Sequence, residues 1–253
     1  MNKHGDFIWY ELMTPDAEAS KRFYGQVAGW SFDGEADYQH IVGSEGHVGG
    51  LLPLTEEMRT HGARPAWLGY VAVDDVDAAV AAIGAAGGRT YVAPRDIPDV
   101  GRFAMVTDPQ GVPFYVMRGR SDETSHAFAA ERPMQGHVAW NELSTSDPAA
   151  ALDFYGRQFG WALDGDMDMG PLGKYQFLRH GPMIGAVMPL MPGQPAPGWT
   201  FYVRVPDIDA AKAAIEAGGG NVLHGPQEIP GGEYSINALD PQGAAFGLVG
   251  PRS

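Results

Sequence analysis

The sequence predicts an α+β protein built from four β-α-β-β-β modules in two tandem domains. The first observation is an internal duplication. Phe23-Tyr24-Gly25 and Gly29-Trp30 recur 131 positions later as Phe154-Tyr155-Gly156 and Gly160-Trp161. Gly87-Gly88, Ile97-Pro98 and Asp108-Pro109-Gln110-Gly111 recur 132 positions later as Gly219-Gly220, Ile229-Pro230 and Asp240-Pro241-Gln242-Gly243. A period of that size is a whole small domain rather than a solenoid unit. The second observation is that the strand and helix signals restart midway through each repeat. The third is a polar, aperiodic stretch between the repeats. Together they predict a first domain over 1–120, a linker over 121–133 and a second domain over 134–253.

Taken in order, Phe7 to Leu12 is a short run of β-formers. Thr14-Pro15-Asp16 is a helix-start signal, and Ala19, Phe23 and Val27 follow at helical spacing until Gly29 stops the helix. Trp30 to Phe32, Tyr38 to Val42 and Val48 to Leu54 are β-like runs separated by glycine. Thr55 to Pro65 has the look of a loop. The order then restarts: a strand at Gly69 to Val73, an Asp-rich helix start at Asp74-Asp75, a helix through Ile83, a stop at Gly87-Gly88, and strands near Arg89 to Val92, Arg102 to Thr107 and Pro113 to Met117. The second repeat runs the same course from His137 to Val249, with Met191 to Gly198 as its internal loop. Asp74, Asp75 and Asp77 are explained as a cap with dipole-stabilising acids. The glycines at 49–50 and 218–220 are expected at turns and strand crossings, because neither stretch has a phosphate-loop pattern.

Composition narrows the function classes. The formal net charge of −14 disfavours nucleic acid and anionic membranes, which are bound through Lys and Arg. No apolar run approaches the roughly 18 residues of a membrane span, and the first residues lack a secretory apolar core. Cytoplasmic residence, a small-molecule partner and a monomer or homodimer are the expectations. With no cysteine, any chemistry falls to carboxylates, His, Tyr, Ser, Thr or an N/O-held metal.

Four such modules, with an Asp-capped helix, Phe-Tyr, Gly-Trp and a late Asp-Pro-x-Gly, resemble the vicinal oxygen chelate superfamily of glyoxalase I, bleomycin-resistance proteins and extradiol dioxygenases. The resemblance covers nearly all of the chain outside the linker and tails. It is closest to tandem-repeat, glyoxalase-like proteins that pair a first-strand Trp-x-Glu or Trp-x-Asp with an Asp-Pro-Gln-Gly turn. It implies two half-closed barrels, each formed by the two modules of one repeat around a cleft that in many members holds a divalent metal. The family's ligand positions fall at Trp9, Leu68 and Tyr115 in one repeat and at Trp140, Thr200 and Gly247 in the other. Neither trio is an ordinary transition-metal ligand set, so no metal and no other cofactor is expected in the protein.

The histidines offer weak substitutes. His137 lies three residues before Trp140, so strand alternation turns it to the opposite face, as a solvated or packing residue. His40 and His47 have no histidine counterparts in the second repeat, and with Glu45 they form no recognised ligand pattern. The copies do share Trp9-x-Glu11 and Trp140-x-Glu142. Two-residue spacing puts each Trp and Glu on one face of a strand, which by the resemblance looks inward. A carboxylate desolvated beside an indole has the setting of a general acid or base. The alternative is a structural carboxylate satisfied by its neighbours. Trp9, Trp140, Tyr115, Thr200, Tyr202 and Asn237 complete the candidate ligand-binding residues. Gly247 in place of Tyr115 is expected to leave the second cleft roomier, and Arg102 is replaced by Glu233 in the corresponding place.

Three functions follow as expectations. One is a metal-independent lyase or isomerase-type enzyme acting on a small carbonyl, hydroxylated or aromatic metabolite through Glu11 or Glu142. Another is a non-catalytic binding protein like the bleomycin-resistance branch, with aromatic walls for a planar ligand. The third is a metal-dependent lyase or dioxygenase.

Overall fold

Four helices begin on an aspartate whose carboxylate accepts the amide hydrogen bond three residues ahead: Asp16 from Ala19, Asp75 from Ala78, Asp147 from Ala150 and Asp207 from Ala210, all at 2.9–3.0 Å. The computed structural model describes residues 1–129 and 131–252; Ala130, in the expected linker, and Ser253, in the expected second domain, lie outside the described residues. The first repeat contains β1 (Phe7–Thr14), α1 (Ala17–Val27), β2 (Ser31–Glu35), β3 (Tyr38–Gly43), β4 (Gly46–Pro53), α2 (Glu56–Thr60), β5 (Ala66–Ala72), α3 (Val76–Ala85), β6 (Thr90–Ile97), β7 (Gly101–Thr107) and β8 (Pro113–Gly119). The second contains β9 (Val138–Thr145), α4 (Pro148–Phe159), β10 (Ala162–Asp168), β11 (Lys174–Arg179), β12 (Met183–Pro189), β13 (Gly198–Arg204), α5 (Ile208–Ala217), β14 (Asn221–Glu228), β15 (Tyr234–Leu239) and β16 (Ala245–Gly250).

Two mixed eight-stranded sheets result, ordered β2-β3-β4-β1-β5-β8-β7-β6 and β10-β11-β12-β9-β13-β16-β15-β14. Both are open, with β2 and β6, or β10 and β14, as edges. Each module runs its first strand parallel to its last, β1 beside β4 and β9 beside β12, and the rest of the module is antiparallel. The four β-α-β-β-β modules are therefore as the sequence predicts. One element differs. Thr55 to Pro65 is not all loop, because Thr55 caps the short helix α2. That helix buries no residue, so it has no apolar period for a sequence to display.

The hydrogen-bonded sheets follow the repeats, but the expectation that each repeat packs as its own half-closed barrel is corrected: the compact units of the chain draw one module from each. One unit comprises residues 1–8, 68–125 and 141–199, the second and third modules; the other comprises 9–67, 126–140 and 200–253, the first and fourth. Within each unit the duplicated motifs meet. Tyr155 of the Phe-Tyr-Gly helix donates to Asp108 of the first repeat's Asp-Pro-Gln-Gly turn at 3.2 Å, and Tyr24 donates to Asp240 at 3.1 Å. The Gly-Trp indoles donate likewise, Trp161 to the Gly5 carbonyl at 2.8 Å and Trp30 to the Gly136 carbonyl at 2.6 Å. Aromatic packing surrounds these bonds. Tyr155 stacks on Trp161 at 5.1 Å between centroids, and Tyr24 meets Trp30 and Trp67 at 5.4 Å.

Candidate functional site

Alternation along β1 divides its side chains between two faces. Tyr10 and Leu12 enter the apolar core, Tyr10 packing on Phe201 with centroids 4.9 Å apart. Glu11 faces the other way and is only 2% exposed. The register pairs Glu11 with Gly50 of β4 and Gly50 with His40 of β3, so Tyr38, two residues before His40, lies on the same face. Tyr38 leans across Gly50: a Cβ there would sit 2.0 Å from the phenol oxygen. Of the turns and strand crossings expected for these glycines, the second applies at Gly50, which close approach of the neighbouring strand requires. Across that gap Tyr38 accepts the Trp9 indole N–H at 2.9 Å and donates to the Glu11 carboxylate. Burial, followed by the negative charge of Glu11, holds the Tyr38 phenol well above the ordinary tyrosine range. It remains a donor throughout the neutral range.

The other unit has the counterpart. Glu142 is 7% exposed, and Tyr175 of β11 donates to it at 2.7 Å. Asn141, pointing to the opposite face of β9, donates to the Ile184 carbonyl at 2.7 Å. Each duplicated glutamate is therefore a buried carboxylate bonded by a phenol. The two tyrosines did not emerge as site residues from the sequence, although one signal was present: Tyr38-Gln39 and Tyr175-Gln176 are a repeated pair.

The remaining candidates have defined settings. Tyr115 of β8 stacks on its parallel neighbour Tyr70 at 4.2 Å and 16° and meets Phe103 at 6.0 Å. In the other unit Tyr202 faces Gly247 in the same register, and its ring occupies the space a Cβ at Gly247 would enter, 2.5 Å away. Asn237 then donates to the Tyr202 hydroxyl at 2.7 Å. The sequence expectation of extra room at Gly247 is corrected: the neighbouring tyrosine fills it. Trp140 and Thr200 are half-buried. The charge reversal between Arg102 and Glu233 reflects separate ion pairs, Arg102 with Asp77 and Asp96 and Glu233 with Arg204. His137 is fully buried, with Nδ1 donating to the His126 carbonyl at 2.6 Å and Nε2 accepting from the Glu45 amide at 3.3 Å. Both bonds suit a neutral ring, and burial lowers its pKa. Of the two readings of His137, packing applies and solvation does not.

On the face carrying Tyr38, three further groups meet. Asp33 of β2 lies opposite His40, and its two oxygens stand 3.1 Å from His40 Nδ1 and 3.2 Å from His47 Nε2. Glu45, considered from the sequence as their acidic partner, instead pairs with Arg132 at 2.6–2.8 Å. The hairpin between β2 and β3 brings Asp33 into its place.

Residues 7–116 and 135–248 match the Glyoxalase/Bleomycin resistance protein/Dioxygenase superfamily. The chain belongs to that superfamily, as two tandem domains of its type. Among its relatives, "Putative glyoxylase CFP32" of Mycobacterium tuberculosis (strain CDC 1551 / Oshkosh) is 34% identical over 98% of this chain and 96% of the relative. The anthracycline biosynthesis protein DnrV of Streptomyces peucetius is 31% identical over 95% of this chain and 91% of the relative. In fold the chain is similar to the Mn(II)-bound glyoxalase of Novosphingobium aromaticivorans, with TM-score 0.65 and 19% identity over 100% of this chain and 84% of that one. It is also similar to 2,2',3-trihydroxybiphenyl 1,2-dioxygenase of Sphingomonas wittichii strain RW1, with TM-score 0.68 and 14% identity over 98% and 91%.

The residues at the superfamily's metal-ligand positions do not fit a metal. Leu68 and Gly247 offer no side-chain donor, the Trp9 indole N–H is committed to Tyr38, and Tyr115 is packed flat on Tyr70. Neither trio supplies the three N/O side-chain donors that hold a catalytic ion.

Proposed function

We propose that the chain is a glyoxalase-like enzyme of the lyase or isomerase type, acting on a small carbonyl, hydroxylated or aromatic metabolite by proton transfer at Glu11 or Glu142. The observation that supports this best is the duplicated buried carboxylate held by a phenol, Tyr38 on Glu11 and Tyr175 on Glu142. A carboxylate so placed accepts a proton from a carbon next to a carbonyl or hydroxyl and returns it to a neighbouring atom, with no net change in protons. The phenol fixes the carboxylate's orientation, which proton transfer demands. The names of the relatives, a glyoxylase and an anthracycline biosynthesis protein, agree with a small oxygenated or aromatic substrate.

A second reading is a binding protein without turnover, whose aromatic wall would be of the kind the stacked, buried Tyr70–Tyr115 pair forms in the first repeat. A thermal-shift screen of small carbonyl and aromatic metabolites, followed by conversion assays on each hit, separates the two. Glu11→Gln and Glu142→Gln retain shape and apolar area. In an enzyme, one of them lowers turnover by roughly 10²–10⁴-fold while ligand still binds. Hits that bind and are never converted favour the binding protein.

A further inference from the structure

Beyond the proton-transfer reading, the first module holds a second chemical centre. Asp33, His40 and His47 come from three adjacent strands, β2, β3 and β4, and their nitrogen and oxygen atoms all lie within 4.8 Å of one another. In a tetrahedral ion with ligand bonds of about 2.0–2.2 Å, neighbouring donors stand roughly 3.3–3.6 Å apart. Two edges of the trio, at 3.1 and 3.2 Å, are already close to that spacing. The imidazoles lie side by side with centroids 4.8 Å apart, each with one nitrogen toward the same carboxylate. Two imidazoles and a carboxylate are a borderline-hard N/O donor set of the kind that zinc, cobalt, nickel and iron accept.

Two further observations bear on the trio, and the first makes it specific to this module. The register that opposes His40 to Gly50 opposes Phe177 to Ala186 in the second repeat, and the strand that begins near His47 has its counterpart beginning at Met183. Neither replacement is an N/O ligand. The Trp9 indole also stands edge-on to both imidazoles, at 6.1 and 6.4 Å, walling one side of the cluster. The opposite side is open: the three side chains are 42–57% exposed, leaving room for water in the remaining coordination positions.

We propose that Asp33, His40 and His47 form a divalent transition-metal site on the first module, distinct from the superfamily's ligand positions and absent from the second repeat. An ion there ties β2, β3 and β4 together beside Trp9, whose indole bonds Tyr38. The site therefore braces the hairpin that holds Glu11.

The test uses the full chain without an affinity tag, stripped with chelator and titrated with Zn²⁺ by calorimetry and with Co²⁺ by visible absorption. One saturable equivalent and a ligand-field spectrum are expected. His40→Ala, His47→Ala and Asp33→Asn each weaken binding by more than the roughly 10–100-fold that loss of an outer partner costs. His224→Ala, at an exposed histidine on β14, leaves it unchanged. As a second readout, Zn²⁺ raises the Tm of the wild type and not of Asp33→Asn. That comparison stands even where an alanine variant folds poorly. Absence of saturable binding overturns the proposal, as does an equivalent of metal whose affinity is indifferent to Asp33, His40 and His47.

Discussion

At the scale of single residues, the chemistry rests on a tyrosine reaching over a glycine. Gly50→Ala puts a Cβ 2.0 Å from the Tyr38 hydroxyl, so the ring must leave the bond it makes with Trp9 and Glu11. The expected cost is about 1–3 kcal/mol, measurable by urea denaturation, together with reduced turnover. Tyr38→Phe keeps the packing but removes the hydroxyl between indole and carboxylate, with a cost of about 1–3 kcal/mol from the buried group left unsatisfied. Full stability in both variants would contradict the arrangement. Trp9, Glu11, Trp140 and Glu142 were legible in the sequence because two-residue spacing on a strand fixes a shared face. Tyr38 and Tyr175 were not, because the turn before them spans residues 36–37 in one repeat and 169–173 in the other, which breaks the register of the duplication. Asp33 escaped for a related reason, since its nearness to His40 is a hairpin pairing and not a motif.

At the scale of elements, the two Asp-Pro-Gln-Gly turns are small hydrogen-bonded machines. Asp108 Oδ1 accepts from the Gln110 and Val112 amides at 2.8 and 2.9 Å, and Oδ2 accepts from Tyr155; Asp240 does the same with Gln242, Ala244 and Tyr24. Gln110 then turns its side-chain oxygen to the Asp147 amide at the start of α4, at 3.0 Å. The turn itself was readable from the repeat, whereas its tyrosine partner was not, being far away in sequence. Burial, then the neighbouring aspartate, raises the Tyr24 and Tyr155 phenols well above their ordinary range. The unfolded chain ionises these groups near pH 10 and the folded chain does not, so their contribution is complete below about pH 10 and is lost as pH rises above it. Melting temperature is expected to fall steeply on that alkaline limb, and Tyr24→Phe with Tyr155→Phe flattens the slope while lowering the neutral-pH Tm. An unchanged slope would show that these phenols ionise in the folded state.

At the scale of the whole molecule, duplication was read correctly and its packing consequence was not visible. Repeated motifs reveal that two copies exist; they do not reveal that each copy's helix finds its acceptor in the other copy. Tyr24 needs Asp240 and Trp30 needs Gly136, while Tyr155 needs Asp108 and Trp161 needs Gly5. Residues 1–120 alone are therefore expected to lack a cooperative thermal transition, and co-expression with 134–253 to restore one; a sharp, wild-type-like melt for the isolated half would refute this. The functional claim rests on the buried glutamates those units hold. Its most direct measurement is deuterium exchange: a metabolite identified by thermal shift is incubated with enzyme in D₂O, and loss of its C–H signal is followed by NMR. The wild type is expected to exchange the proton next to the carbonyl or hydroxyl, and the Glu11→Gln/Glu142→Gln double variant to bind the same molecule with exchange reduced by roughly 10²–10⁴-fold. Exchange at the wild-type rate in the double variant would contradict the account.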